Sequence, residues 1–415
     1  MFTLLFLVFL FADIALRLWL GVRQIRHVAR HRGEVPPEFS DRISLRSHQR
    51  AADYTHGKVQ ISLVETITEA AVLIGLTLLG GLQFIDIKLG QLIDHEMWRQ
   101  LALVGSIVLI MGVVGLPFTL WRKFGLEARF GFNRMSFGLF VSDTLKGLLV
   151  AVVLGLPLAA GVLWFMGNTG AYWHWWAWGA WVVFNILVIW LFPTVIAPLF
   201  NKFTPLNDPE LARRINALAQ RCGFSISGLF VMDGSKRSAH GNAYFTGFGR
   251  SRRIVFFDTL LSKLTGDEVE AVLAHELGHF KYRHIAKRLV ISFILALVFF
   301  QVLGWLSQQV WFYTDLGVIP QLGRPNDALA LILFFLVMPV FTFWITPLVS
   351  LMSRRDEFQA DQFAAQQSSA PALISALVKL YDDNAATLTP DPVHSAFYDS
   401  HPPAALRIKK LKHAH

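Results

Sequence analysis

Long apolar stretches dominate this chain, and they recur at the lengths a membrane would impose. A hydrocarbon core of about 30 Å needs roughly 20 apolar residues in one helix. Seven segments meet that length: 3–20, 59–84, 101–121, 147–166, 172–192, 289–312 and 328–350. The fifth opens with Trp173, Trp175, Trp176, Trp178 and Trp181, a cluster suited to an interfacial aromatic belt. Two polar stretches interrupt the series. The chain thus divides into spans one to five (1–192), a soluble segment (193–288), spans six and seven (289–350) and a soluble C-terminal segment (351–415). Within the first soluble segment, residues 242–248 and 253–258 alternate as two short strands around the turn Gly249-Arg-Ser-Arg252. The expected fold class is predominantly α, a polytopic membrane protein of seven transmembrane helices with a short β-hairpin in its soluble part.

Composition strengthens this picture. Hydrophobic residues make up 54% of the 415 and charged residues only 16%, too few to solvate an ordinary globular surface. A formal net charge of +9 could suit nucleic acid, but membrane proteins gather Lys and Arg in cytoplasmic loops. The distribution follows that rule. Residues 21–58 carry eight and 121–146 carry five, whereas 84–100 carry two beside three acids, 167–171 none and 314–327 one. Basic and neutral connections alternate, so the N-terminus is expected outside, with 193–288 and 351–415 together in the cytoplasm. No nucleic-acid partner is expected. The apolar N-terminus has no basic residue before it and Arg23, Arg26 and Arg30 after it, the arrangement of a retained anchor rather than a signal peptide. Cys222 is the only cysteine; it excludes an internal disulfide and suits a small buried hydrophobe. Asp13 with Arg17, and Glu65 with Glu69, stand four apart inside spans. Such groups must line a wet interior or pair between helices.

Chemistry concentrates in Ala271-Val-Leu-Ala-His-Glu-Leu-Gly-His279, an H-E-x-x-H pattern. Four residues apart on a helix, His275 and His279 share a face and can offer imidazoles to one ion. Glu276, rotated by about 100°, reaches a water beside the metal instead. Zinc acidifies such a water and polarises a carbonyl, while the carboxylate moves the proton to the leaving amine. Thr265-Gly-Asp-Glu268 is a capping box placed to start the helix. Val269, Val272, Leu273 and Leu277 give it an apolar stripe. A catalytic zinc takes three protein ligands and leaves one position open. Glu357 and Asp361, four apart just after span seven, are the best source of the third, one binding the ion and the other orienting an imidazole. Asp356 is an alternative ligand on spacing. His279 lies ten residues before span six and Glu357 seven after span seven. With helical links the metal would sit within about 10 to 15 Å of the membrane face. Lys281, Arg283, His284, Lys287 and Arg288 are expected at the headgroups, with His284 a ligand only if the helix breaks after His279. A transporter with structural zinc would want four protein ligands, often Cys, and this chain has one Cys.

Several segments together resemble a known family, the type 1 CAAX prenyl proteases, which are seven-span zinc endopeptidases. They are Glu127-Ala-Arg-Phe-Gly-Phe-Asn133, Ala197-Pro-Leu-Phe-Asn-Lys-Phe-Thr-Pro-Leu206 and Met232-Asp-Gly-Ser-Lys-Arg-Ser-Ala-His240, followed by Asn242-Ala-Tyr-Phe245, His275 to His279, Glu357-Phe-Gln-Ala-Asp361 and Ser400-His-Pro-Pro403. The resemblance implies a zincin-like catalytic domain with one Zn2+ on His275, His279 and Glu357, and catalysis by Glu276. It implies a large water-filled chamber within the spans. It also implies that an edge strand at Asn242-Ala243 binds the peptide backbone, that His401 hydrogen-bonds the developing oxyanion, and that Arg407 holds the local carboxylates. Gly241 departs from the Ser usual there. The implied activity is hydrolysis of membrane-associated or prenylated CAAX-type proteins near their C-terminus, in membrane lipid. The alternative is a general quality-control membrane protease of the HtpX type, which has fewer spans. Short loops suggest a bacterial inner-membrane protein. The sequence sets no oligomeric state, and a monomer satisfies it.

Overall fold

The computed structural model describes residues 1–246, 253–321 and 323–413. Seven helices are long and apolar enough to cross a bilayer: Phe2–Arg30, Leu45–Leu76, Glu96–Glu127, Phe137–Asn168, Gly170–Phe200, His284–Leu306 and Asp327–Gln367, here spans one to seven. Each packs on the next in chain order, and the seventh closes on the first. The resulting ring has unlike ends. At one, Phe6, Leu10, Leu103, Leu163, Leu303 and Leu333 join a single apolar core. Toward the other, Asp13, Arg17, Lys58, Thr66 and Glu69 line cavities of 490 and 250 Å³ between the helices. Arg17 donates to both Asp13 oxygens at 2.9 and 3.0 Å. Glu65 takes the pairing alternative, with Arg122 at 2.7 Å, and Glu69 takes the lining one.

Span edges differ from the apolar pattern where backbone chemistry intervenes. Span two stops at Leu76 rather than 84. Gly80, in the left-handed region at φ 76°, turns the chain into a separate helix, Gly81–Leu92. Span six ends at Leu306 rather than 312, and a short helix, Val310–Thr314, folds Phe312 and Tyr313 back into the apolar core. Span seven is interrupted by a 3-10 turn at Phe343–Ile345, just after Pro339. It then continues as one helix, Thr346–Gln367, out of the ring.

The remaining elements build a compact unit on that exit. β1 (Phe203–Pro205), β2 (Gly228–Met232), β3 (Ala243–Thr246) and β4 (Arg253–Phe257) form one sheet in the order β1-β2-β4-β3. β3 and β4 are the expected antiparallel pair, while residues 247–252, including the expected turn, lie outside the described residues. The expected pair is thus half of a mixed sheet, because β2 pairs parallel with β4. β3 is an edge strand. Helices Pro209–Arg221, Gly266–Lys281, Ala370–Asp383 and Ala404–His413 bury Ile215, Phe256, Leu273, Leu277, Phe363 and Leu411 in a second core. Cys222 is buried there.

Helix Gly266–Lys281 packs directly against Thr346–Gln367. A Cβ on Gly278 would stand 2.9 Å from the Ala360 Cα, closer than backbone tolerates. Gly278→Val should therefore push the two helices apart and cost about 1–3 kcal/mol, read as a lower thermal midpoint together with reduced bound metal. An unchanged midpoint and metal content would contradict this packing.

Candidate metal centre

The capping box forms as the sequence expects. Thr265 N–H donates to Glu268 Oε2 at 2.8 Å, and Glu268 is pinned further by Ser375 at 2.8 Å and Lys379 at 2.7 Å. Val269, Leu273 and Leu277 face the core, which turns His275, Glu276 and His279 toward the cleft. The helix leaving span seven brings Glu357 to them.

Ligand atoms of His275, His279 and Glu357 lie within 4.8 Å of one another. The two Nε2 atoms are 3.2 Å apart. Glu357 oxygens stand 3.4 Å from His275 Nε2 and 3.3 Å from His279 Nε2. Ligands about 2.0–2.1 Å from a tetrahedral ion are about 3.4 Å from each other, so the three donors are spaced as such an ion requires. Proton placement points the same way. His284 Nε2 donates to Gln359 Oε1 at 3.0 Å, so its Nδ1 accepts from His279 Nδ1 at 3.0 Å. That leaves His279 Nε2 as a bare lone pair. His275 Nδ1 lies 2.9 Å from Asp361 Oδ1 without hydrogen-bond geometry, a carboxylate that favours the proton on that side when the ring is neutral. With the His275 ring neutral, two acceptors face each other beside Glu357 Oε2, a buried oxygen without a hydrogen-bond donor. A cation is what satisfies all three.

Arg407 donates to both Asp361 oxygens at 2.8 and 2.6 Å and comes within 3.8 Å of Glu357. Burial raises the Glu276 carboxyl above its ordinary value, against the pull of His275 and His279. Asn242 and Ala243, at the open edge of β3, line a 270 Å³ cavity together with His275, Glu276 and His401. This cavity and the 490 Å³ one share Tyr381, Ala386 and His401, so one cleft passes the metal centre and leads into the ring. Ser400 Oγ lies 2.9 Å from His401 Nδ1. When it donates there, the proton is on Nε2, 3.5 Å from Glu357 Oε1.

Other expectations move. Asp356 is not part of the ligand group; it pairs with Arg288 at 2.8 Å. His284 is not at the headgroups but buried behind His279. The helix does break after His279, at Arg283 with φ 56°, and the break makes His284 a support rather than a ligand. The link to span six is therefore a two-residue turn, not a helix. Pattern reasoning also missed how His401 is placed. Arg354 Nη1 donates to the carbonyls of Ser395 and Asp399 at 3.1 and 2.9 Å. Arg23 of span one grips Asp391 at 3.1 and 2.9 Å.

Comparison with known proteins agrees over the whole chain. Residues 24–202 match the family described as CAAX prenyl protease N-terminal, five membrane helices, and residues 205–415 match peptidase family M48. CAAX prenyl protease 1 of Saccharomyces cerevisiae is 31% identical over 97% of this chain and 93% of its own. A homolog from Oryza sativa subsp. japonica is 36% identical over 77% and 75%. The crystal structure of S. mikatae Ste24p superposes with a TM-score of 0.92 at 30% identity, covering 99% of both chains.

Two outcomes follow from the geometry. His284→Phe should lower metal affinity about 10- to 100-fold by freeing the His279 ring, measured by competition with a chelator; an unchanged affinity would remove His284 from the site. Burial alone would lower the His275 imidazole, but Asp361 and Glu357 beside it raise it to about 9 in the metal-free protein. Below that pH the ion must displace a proton. Calorimetry in buffers of differing ionisation enthalpy should show proton release, with apparent affinity climbing with pH and levelling above about 9. A pH-independent affinity would contradict the assignment.

Proposed function

The chain belongs to the CAAX prenyl protease 1 family within peptidase family M48, and from that premise we propose a zinc endopeptidase that cuts membrane-associated or prenylated CAAX-type proteins near their C-terminus. It is an integral membrane metallopeptidase, and its family works with a divalent metal. We assign one Zn2+ per chain to His275, His279 and Glu357, a donor set of two imidazoles and a carboxylate that suits zinc. Bound there, the ion supplies a Lewis acid that polarises the scissile carbonyl and acidifies a water.

The chain's own groups do the rest. Glu276, its carboxyl raised by burial, takes the proton from the attacking water and returns it to the leaving amine. His401 offers its Nε2 proton to the developing oxyanion, worth about 3 kcal/mol of barrier. The open edge at Asn242 and Ala243 receives the substrate backbone by strand addition. Asp361 holds the His275 ring, and Arg407 holds Asp361 against it. On this reading 193–288 and 351–415 form one catalytic unit carried by 1–192 and 289–350. Alternation of basic and neutral loops supports an N-terminus outside and this unit in the cytoplasm. A bacterial inner-membrane home rests on the short loops alone, while the relatives named above are eukaryotic.

One observation carries the proposal: ligand atoms of His275, His279 and Glu357 converge within 4.8 Å, with Glu276 in the adjoining cavity. Seven span-length helices favour it over the HtpX-type alternative. Glu276→Gln should keep its metal and lose at least about a hundredfold in peptide cleavage. Undiminished cleavage would remove Glu276 as the base. A farnesylated CAAX peptide should be cut faster than its unlipidated twin in the same membrane. Equal rates would move the reading to general membrane proteolysis.

A further inference from the structure

A cavity of 950 Å³ opens on a different surface of the motif helix and shares His279 and Phe280 with it. Its walls are apolar: Phe224, Phe245 and Phe280 from the catalytic unit, Ile285 and Leu289 from span six, Ile189 from span five. Span six begins at His284, so the groove covers its first two turns, the level at which a bilayer crossed by this helix would pass from headgroups to hydrocarbon. The rim is basic. Lys281, Arg283 and Arg288 border the groove. Arg288 is taken by Asp356, whereas Lys281 and Arg283 have no ion pair among the described residues. Arg283 holds its place at φ 56°, one of two non-glycine residues with positive φ among the described residues, where glycine or asparagine would cost less.

We infer that this groove binds one anionic phospholipid of the leaflet facing the catalytic unit, its chain between Ile189 and Leu289 and its phosphate on Lys281 and Arg283. An apolar floor on the membrane side and two cations without an ion pair among the described residues fit an amphiphile with a negative head. A zwitterionic lipid brings no net negative charge to the cations, and a bare hydrocarbon chain would not use them. The bound lipid has a route to the metal site. Phe280 of the motif helix packs on Phe245 of β3 with ring centroids 4.4 Å apart, and both rings line the groove. A chain packed on this pair holds the edge strand in place beside the metal.

The test uses full-length protein in nanodiscs and two photoreactive lipids carrying a diazirine in the acyl chain, phosphatidylglycerol and phosphatidylcholine. Phosphatidylglycerol should label the peptide spanning 280–292 on the order of tenfold more strongly, given two cations at the headgroup. Lys281→Gln with Arg283→Asn should bring it down to the phosphatidylcholine level while leaving metal content and thermal midpoint unchanged; asparagine tolerates the left-handed backbone. Cleavage of an unlipidated peptide should run several-fold faster in phosphatidylglycerol discs, and the double variant should lose that gain. Equal labelling by the two lipids, or labelling unchanged in the variant, overturns the site. So does displacement of the label by a lipidated peptide but not by excess phosphatidylglycerol, which would give the groove to substrate. Specific labelling with no difference in rate overturns the coupling to β3. Labelling needs no proteolysis, so its failure is distinct from failure of the proposed activity.

Discussion

Two imidazole nitrogens 3.2 Å apart, beside a buried carboxylate, form an arrangement that is unfavourable unless a proton or a metal ion lies between them. The surrounding structure holds that arrangement in place. Asp361 fixes one ring, the His284–Gln359 pair fixes the other, and Arg407 spreads positive charge over both acids. The donors are ordered before the metal arrives, so little conformational freedom remains to be lost on binding.

That order depends on the membrane anchors. The two imidazoles stand on a helix joined to span six by only Tyr282 and Arg283. The carboxylate stands on a helix continuous with the exit of span seven. Close approach at Gly278 and Ala360 locks these supports together. The segment carrying His401 is tied to span one through Arg23 and Asp391. The metal-binding groups are thereby held at a set distance from the spans, which on the proposed function is where a lipid-tethered substrate would arrive.

What could be read beforehand was local. The H-E-x-x-H spacing, the capping box and the Glu357–Asp361 pair are all expressions of one helical period, and helical period is visible in a single sequence. Span count followed from apolar length. What escaped required distant partners or unusual backbone. His284 became a support only because Arg283 adopts a left-handed turn that its residue type does not advertise. β1 is three residues ending in Pro205, and β2 is an apolar run that periodicity cannot classify. Arg354 satisfies carbonyls more than 40 residues onward. The apolar run through Phe312 hid a turn, since residues buried in protein and residues facing lipid look alike in composition.

The packed end of the ring has a consequence of another kind. A water-accessible passage set right through a bilayer would act as a leak, and protons or sodium ions would drain down their gradients through it. Interlocked Phe6, Leu103, Leu163 and Leu333 act as a stopper at one mouth. The protein can therefore admit water to cut a peptide bond while leaving the membrane's electrical insulation intact.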